Sequence, residues 1–306
     1  MKRLASCVFA ALAVVATAPA ASAEVIVGDF VTSAKPTWGI NDPNCVPSGA
    51  VKEPVILIHG TSDNASNWSD VAPLLKAQGM CVWAFDYGAD DVTLQNAMPW
   101  LKAIGDLDKS AREIADQVTY VRQVTGADRV NLVGHSQGGM HTKTYEQMYG
   151  EPGTVARVVA IGGNYHGTTL NGVATTLDPL ITGAPGLASF LASTAGIQQV
   201  VSSPFMAKLN ALPDTVSGVQ YTSIYSPADQ TVTPNSSSVL SAVPGADVAN
   251  VDLGAVCGVA PRHDKLPHDA DVIALILWGL TRGEGEQADA SACALAGLGF
   301  FPGSST

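Results

Sequence analysis

The stretch Leu132-Val133-Gly134-His135-Ser136-Gln137-Gly138-Gly139-Met140 sets one serine among glycines, directly after an apolar run and before a segment with helical character. It has two possible readings. Either Ser136 is a nucleophile held on a tight strand-to-helix turn, or the segment is an ordinary glycine-rich loop in which the hydroxyl is incidental. Residues 134–138 fit the pattern G-x-S-x-G. In that turn the serine backbone is strained and a neighbouring Cβ would collide with it, so Gly134 and Gly138 relieve the crowding while Oγ stays exposed. The first reading therefore requires a buried strand before the pentapeptide and a helix after it.

The flanking chain meets that requirement. Arg129 to Val133 reads as a strand ending at Gly134, and Gln137 to Tyr149 continues as helix. Upstream, Val55 to Ile58 are four consecutive apolar residues bounded by Pro54 and Gly60, the signature of a strand buried on both faces. Cys81 to Phe85 and Val155 to Ile161 are further strands, with Tyr221 to Tyr225 and Val248 to Leu253 completing the set. Between them fall a short helix at Asp70 to Gln78, an amphipathic helix at Ser110 to Thr125 stopped by Gly126, and an apolar helix at Asp269 to Thr281. Strands alternating with helices imply an α/β fold: a mostly parallel central sheet with helices on both faces. A long excursion, residues 167–218, separates the fourth and fifth strands. It is too long for a bare loop and should hold short helices.

A serine hydroxyl becomes nucleophilic when a neutral histidine takes its proton. On a strand-turn-helix elbow the partners follow in the order Ser, Asp or Glu, His, so the base lies well downstream of Ser136. Of six histidines, His59 and His135 precede the serine, His141 lies on the helix just after it and His166 comes too early. His263 and His268 remain, both immediately before the final helix. The orienting acid should sit on a turn after a strand, as Asp229 does, in a loop bounded by Pro227 and Pro234. Asp214 precedes that strand and Asp252 lies inside the next one. For the oxyanion hole, one N–H is expected from Gln137 and the other from Thr61, in the turn after the Val55 to Ile58 strand, where His59 shapes the loop. This chemistry needs no metal or organic cofactor.

Composition limits the partners and the compartment. Lys2 and Arg3, an apolar run from Leu4 to Ala18 and the small residues Ala21-Ser22-Ala23 form a secretory signal peptide over residues 1–23, so the protein is expected outside the cell. Cleavage there leaves 24–306 as a single domain with 14 basic and 27 acidic residues, a net charge of −13. A chain this acidic carries no electrostatic footprint for nucleic acid, and no later segment looks membrane-spanning. A monomer is the expected state. Cys7 leaves with the signal. The remaining four, Cys45, Cys81, Cys257 and Cys293, are an even set in an exported chain, so two disulfides are expected. Three connectivities are open. Pairing nearest neighbours in sequence would close two loops of equal span, each stabilising by roughly 4 kcal/mol.

The segments VILIHGTSDNASNWSDVAPLL, GMCVWAFDYG, VNLVGHSQGGM, GGNYHGT, SPADQTVTP and HDKLPHD together resemble, in that order, the class 2 family of secreted bacterial lipases, especially its actinobacterial members. The resemblance runs from about Asn41 to Leu280. It implies an α/β-hydrolase fold and hydrolysis of carboxylic esters, with acylglycerols as the usual substrate class. It also implies Ser136 as nucleophile, Asp229 as acid and His263 as base, because the family histidine lies a few residues before positions repeated here as Leu266, Pro267 and Asp269. Cys45 and Cys81 match a paired set in such sequences. The insertion at 167–218, a candidate lid or acyl-pocket segment, and the tail after Arg282 are the least similar parts. A polyester depolymerase or an acyltransferase would use the same triad, and a non-catalytic surface protein could keep the fold without the chemistry.

Overall fold

The structure is a computed structural model that describes residues 38–89 and 92–294. The expected signal peptide, residues 1–23, lies outside the described residues.

Six strands form one sheet: β1 Val55–Ile58, β2 Val82–Ala84, β3 Val130–His135, β4 Val155–Ile161, β5 Gln220–Tyr225 and β6 Asp247–Asp252. Their spatial order is β2-β1-β3-β4-β5-β6 and every pair is parallel. The helices, in chain order, are α1 Val71–Ala77, α2 Leu107–Thr125, α3 Gln137–Thr144, α4 Val173–Gly183, α5 Pro185–Ala192, α6 Thr194–Gln198, α7 Pro204–Asn210, α8 Leu253–Val256 and α9 Ala270–Thr281.

Alternation along each strand sends side chains to two separate cores. Val55, Leu57, Val133, Val159, Ile161 and Ile224 pack with α1 and α9 on one face. Ile56, Ile58, Leu132, Val158, Ala160 and Tyr221 pack with Ile114, Val118 and Val121 of α2 on the other. All four residues of β1 are buried, as expected of a strand covered on both sides. Among the described residues no helix is long and apolar enough to cross a membrane.

Element ends shift from the sequence expectations for local reasons. The α2 helix starts at Leu107, three residues early, because Asp106 caps it by accepting from the Lys109 N–H and Leu107 is buried. It ends at Gly126, which adopts a left-handed φ of 67°. The helix after the serine stops being α-helical at Thr144 and continues as a π-helical turn over Tyr145–Tyr149, closed by the Gly150 N–H reaching back five residues to the Tyr145 carbonyl. Asp252 ends β6 and caps α8, its Oδ1 accepting from the Gly254 and Ala255 N–H groups.

The excursion does hold helices, four of them. Its stem is closed where Thr168 N–H donates to the Gln199 carbonyl and Val201 N–H to the Thr168 carbonyl. The second half packs on the body: Ala195, Phe205, Met206 and Leu209 share a core with Leu107 and Met140. The first half, α4 and α5, exposes Val173, Leu177, Leu187, Phe190 and Leu191. Both disulfides join nearest neighbours in sequence, Cys45–Cys81 and Cys257–Cys293.

Candidate active site

Ser136 is the first residue after β3 and precedes the first turn of α3. Its φ of 56° and ψ of −122° put a non-glycine residue in a disfavoured region. Packing holds it there. The Ser136 N–H donates to the Ile161 carbonyl, and its own carbonyl accepts from the Met140 N–H. The turn is so tight that a Cβ on Gly138 would sit 2.1 Å from the Ile58 carbonyl oxygen, and one on Gly134 would sit 2.4 Å from the Gly138 oxygen. Glycine is required at both positions by contact with backbone, which cannot move aside as a flexible side chain can.

The loops after β5 and β6 bring the next two residues to the same end of the sheet. Asp229 is 4% exposed, and its Oδ1 accepts from the Thr231 and Val232 N–H groups at 2.8 and 2.9 Å. That leaves Oδ2 for the His263 Nδ1–H, 2.6 Å away. The pairing separates the two downstream histidines, since His268 bonds Asp70 on the outside of the molecule through Nδ1 at 2.7 Å. His263 Nε2 is buried and has no hydrogen-bond partner among the described residues, so its bond to Ser136 is not formed in this structure.

Ser136, His263, Gly60, Thr61, Asn164 and Gln199 line one cavity of about 350 Å³, with Thr168, Leu170, Thr231 and Val232 contributing further walls. Gly60 lies close against the serine, 3.0 Å from the Ser136 Cβ to where its own Cβ would be. The insertion enters the site through Thr168, Leu170, Gly196 and Gln199, whereas its large side chains Leu187, Phe190 and Leu191 face outward. Gln137 opens α3, where the first backbone N–H groups lack an intrahelical acceptor. Its side chain is fully buried and donates from Nε2 to Thr61 Oγ1 at 2.9 Å.

A family model described as alpha/beta hydrolase fold matches residues 53–196. Over 73 residues the chain is 32% identical to a triacylglycerol lipase of Pseudomonas fragi, a stretch that makes up 24% of this chain and 24% of that enzyme. Among solved structures, Aspergillus fumigatus lipase B superposes with a TM-score of 0.57 at 19% identity, over 77% of this chain and 54% of that one. A mature lipase of Bacillus licheniformis gives 0.52 at 17% identity, over 79% and 95%. The chain has the α/β-hydrolase fold. It spans about a quarter of the Pseudomonas enzyme and about half of the Aspergillus one by these matches.

Within this α/β-hydrolase fold, the remaining histidines are occupied elsewhere. His59 donates from Nδ1 to the Gly60 carbonyl at 2.9 Å and stacks on Tyr87, so it shapes the turn that carries Thr61. Burial lowers its pKa. His141 is buried in α3, where desolvation pushes its pKa down to about 3. His166 lies 3.5 Å from Asp214, whose hydrogen bond holds the imidazole pKa up.

Sequence reasoning passes over three residues that support the site. His135 bonds the His263 carbonyl, Asn67 bonds the other side of the His135 ring, and Gln199 bonds Thr61 from within the insertion. These contacts join positions 128, 68 and 138 residues apart. No local pattern encodes such pairings.

Proposed function

We propose that the protein is an exported serine ester hydrolase that cleaves carboxylic esters, with acylglycerols as the substrate class. The observation that carries this reading is the 2.6 Å bond from His263 Nδ1 to Asp229, beside a cavity shared with a strained Ser136. In this reading Ser136 Oγ adds to the ester carbonyl carbon while His263 Nε2 takes its proton, and Asp229 stabilises the imidazolium. The Thr61 and Gln137 N–H groups hold the oxyanion. His263 then protonates the leaving alcohol, and water repeats the cycle on the acyl-enzyme. The free Nε2 of His263 is the atom this scheme needs available.

The lipase relatives support ester chemistry, and the quoted segments favour the class 2 secreted bacterial lipases within the fold. Two disulfides support export through an oxidising compartment, with cleavage after Ala23 and residues 24–306 as one domain. Helices α4 and α5, with their outward apolar side chains, are the part of the insertion suited to act as a lid at an oil surface. Ser136→Ala tests the central claim. It should abolish turnover of p-nitrophenyl esters and labelling by a fluorophosphonate while the protein still folds, and retained turnover would overturn the assignment.

A further inference from the structure

The cavity that holds Ser136 has two carboxylates in its wall, Asp63 and Asp264, and no lysine or arginine. The two acids differ in their surroundings. Asp264 is exposed, with Arg262 Nη2 at 3.1 Å and Lys265 Nζ at 3.7 Å, so its charge is paired and open to water. Asp63 lies in the turn after β1, two residues beyond Thr61, and is half-buried. Its backbone is pinned, since the Lys102 N–H donates to the Asp63 carbonyl at 2.8 Å. Its Oδ1 accepts from the Asn64 N–H at 2.8 Å, whereas Oδ2 has no partner among the described residues.

Among the described residues no cation balances Asp63. Lys102 meets it through the backbone and forms no ion pair with its carboxylate. His59 stays neutral because burial lowers its pKa, and His268 already pairs with Asp70 at 2.7 Å. Desolvation accordingly raises the Asp63 pKa above its ordinary value. A cavity of about 350 Å³ is only about 9 Å across if taken as a sphere, so a charge inside it stands close to the Asp63 carboxylate. A second carboxylate entering it would lose water, face a like charge and find no lysine or arginine. A cation would lose water too, but would meet a carboxylate with one oxygen uncommitted. Leu170 and Gln199 of the insertion, the candidate acyl-pocket segment, share the same wall, so the charge is sought on the acyl chain.

We propose that Asp63 sorts substrates by charge, so that the site favours esters whose acyl chain carries a quaternary ammonium group and rejects those that carry a second carboxylate. The inference rests on the reading of Ser136 as nucleophile, and it extends the substrate class beyond acylglycerols. Asp63 takes no part in bond making; it is a specificity-determining side chain. Its interaction with a fixed charge on the substrate is present in the ground state and the transition state alike. The effect should therefore appear in KM and kcat/KM and leave kcat nearly alone.

The test uses two matched pairs of p-nitrophenyl esters at about pH 8, where ordinary carboxylates are ionised and an ordinary imidazole is neutral. In one pair the acyl chain ends in trimethylammonium or in its carbon isostere, tert-butyl. In the other it ends in carboxylate or in neutral isopropyl. The readout is the ratio of kcat/KM within each pair, which cancels any effect of a substitution on the common chemistry. In the parent protein the cation should be favoured about tenfold over its isostere and the carboxylate disfavoured about tenfold. Asp63→Asn, which keeps an acceptor for the Asn64 N–H, should bring both ratios to within about threefold of unity, and Asp63→Glu should preserve their direction. Asp264→Asn, at an exposed and paired site, should move them by less than about twofold. If Asp63→Asn melts below the assay temperature, Asp63→Ser is read by the same criteria. Ratios near unity in the parent would overturn the proposal. So would ratios that persist in Asp63→Asn, since the discrimination would then belong to the net charge of −11 on the whole chain. Turnover that survives Ser136→Ala, or none in the parent, would instead overturn the nucleophile itself, and with it this proposal.

Discussion

The His135 ring lies 4.8 Å from the ring of His263, centre to centre, and bonds the His263 carbonyl through Nε2 at 3.2 Å. A carbonyl only accepts, so Nε2 carries the His135 proton and Nδ1 is left to accept from Asn67 Nδ2 at 3.4 Å. Burial, helped by the neighbouring His263, pushes the His135 pKa well below its ordinary value, so the ring stays neutral. The residue beside the proposed nucleophile thus anchors the backbone of the proposed base.

His135→Ala removes that anchor. On the reading of His263 as base, kcat/KM should fall about 10- to 100-fold, because the imidazole loses its fixed position. On the same reading, the acid limb of the kcat/KM profile of the parent protein should fit a single ionisation, since His135 does not charge. A limb needing two protons would contradict the neutral assignment.

Gly138→Ala places a methyl 2.1 Å from the Ile58 carbonyl oxygen. Since β1 is buried and paired on both edges, it cannot retreat. The substitution should destabilise by about 3 kcal/mol or more, read as a shifted midpoint in urea denaturation. Gly153→Ala, where a Cβ meets nothing within 4 Å, controls for chain stiffening alone, with its left-handed φ of 78° adding some strain.

Asp214→Asn unpairs a buried cation. Lys143 Nζ is fully buried and lies 2.8 Å from Asp214, which is itself 9% exposed. Loss of one partner should cost about 3 to 5 kcal/mol, and Lys143→Met in addition should restore part of it. Burial alone would raise the Asp214 pKa, but hydrogen bonds from His166 and Lys143 outweigh it and hold the carboxyl well below the usual range. Its stabilising contribution is present above the ordinary carboxylate pKa and is lost on acidification through the depressed one. The raised His166 contributes oppositely: fully below the ordinary imidazole pKa, and lost as pH rises through the raised value. Unfolding free energies measured across pH should show both slopes weaken in Asp214→Asn.

Glu146 supplies a third pH dependence. Its Oε1 accepts from the Tyr221 hydroxyl at 2.9 Å, while Oε2 is buried without a partner among the described residues. Burial pushes its pKa from 4.5 to about 8. The folded protein therefore binds a proton that the unfolded chain has released between those values, and stability falls as pH rises through the interval. Glu146→Gln should flatten this decline and stabilise the fold at pH 8 relative to pH 5. An unchanged slope in urea titrations would exclude Glu146 as its source.

Much of the fold is legible along the chain because its determinants are local. The buried run at Val55 to Ile58, the 3.6-residue period of α2 and the crowding of Gly134 against the Gly138 carbonyl each act within a few residues, whereas Gly138 is held to glycine by the Ile58 carbonyl of β1, far away in the chain. Strand and helix ends are less legible. The Leu107 start of α2 rests on a cap at Asp106, and the π turn at Tyr145 has no local sequence signature. Choosing between His263 and His268 from residues alone is impossible, since both precede the last helix and only three-dimensional proximity shows which one meets Asp229.

Periodicity, the glycine at 134 and the run of short apolar strands specify a parallel sheet with a serine on a strand-to-helix turn, because they reflect forces between residues near in sequence. The pairing of Asp229 with His263, the anchoring of His263 by His135 and the saturation of Thr61 by two glutamines emerge only on folding. They depend on distances between loops set by the sheet order, and a hydrogen bond between residues far apart in the chain leaves no trace in either sequence neighbourhood.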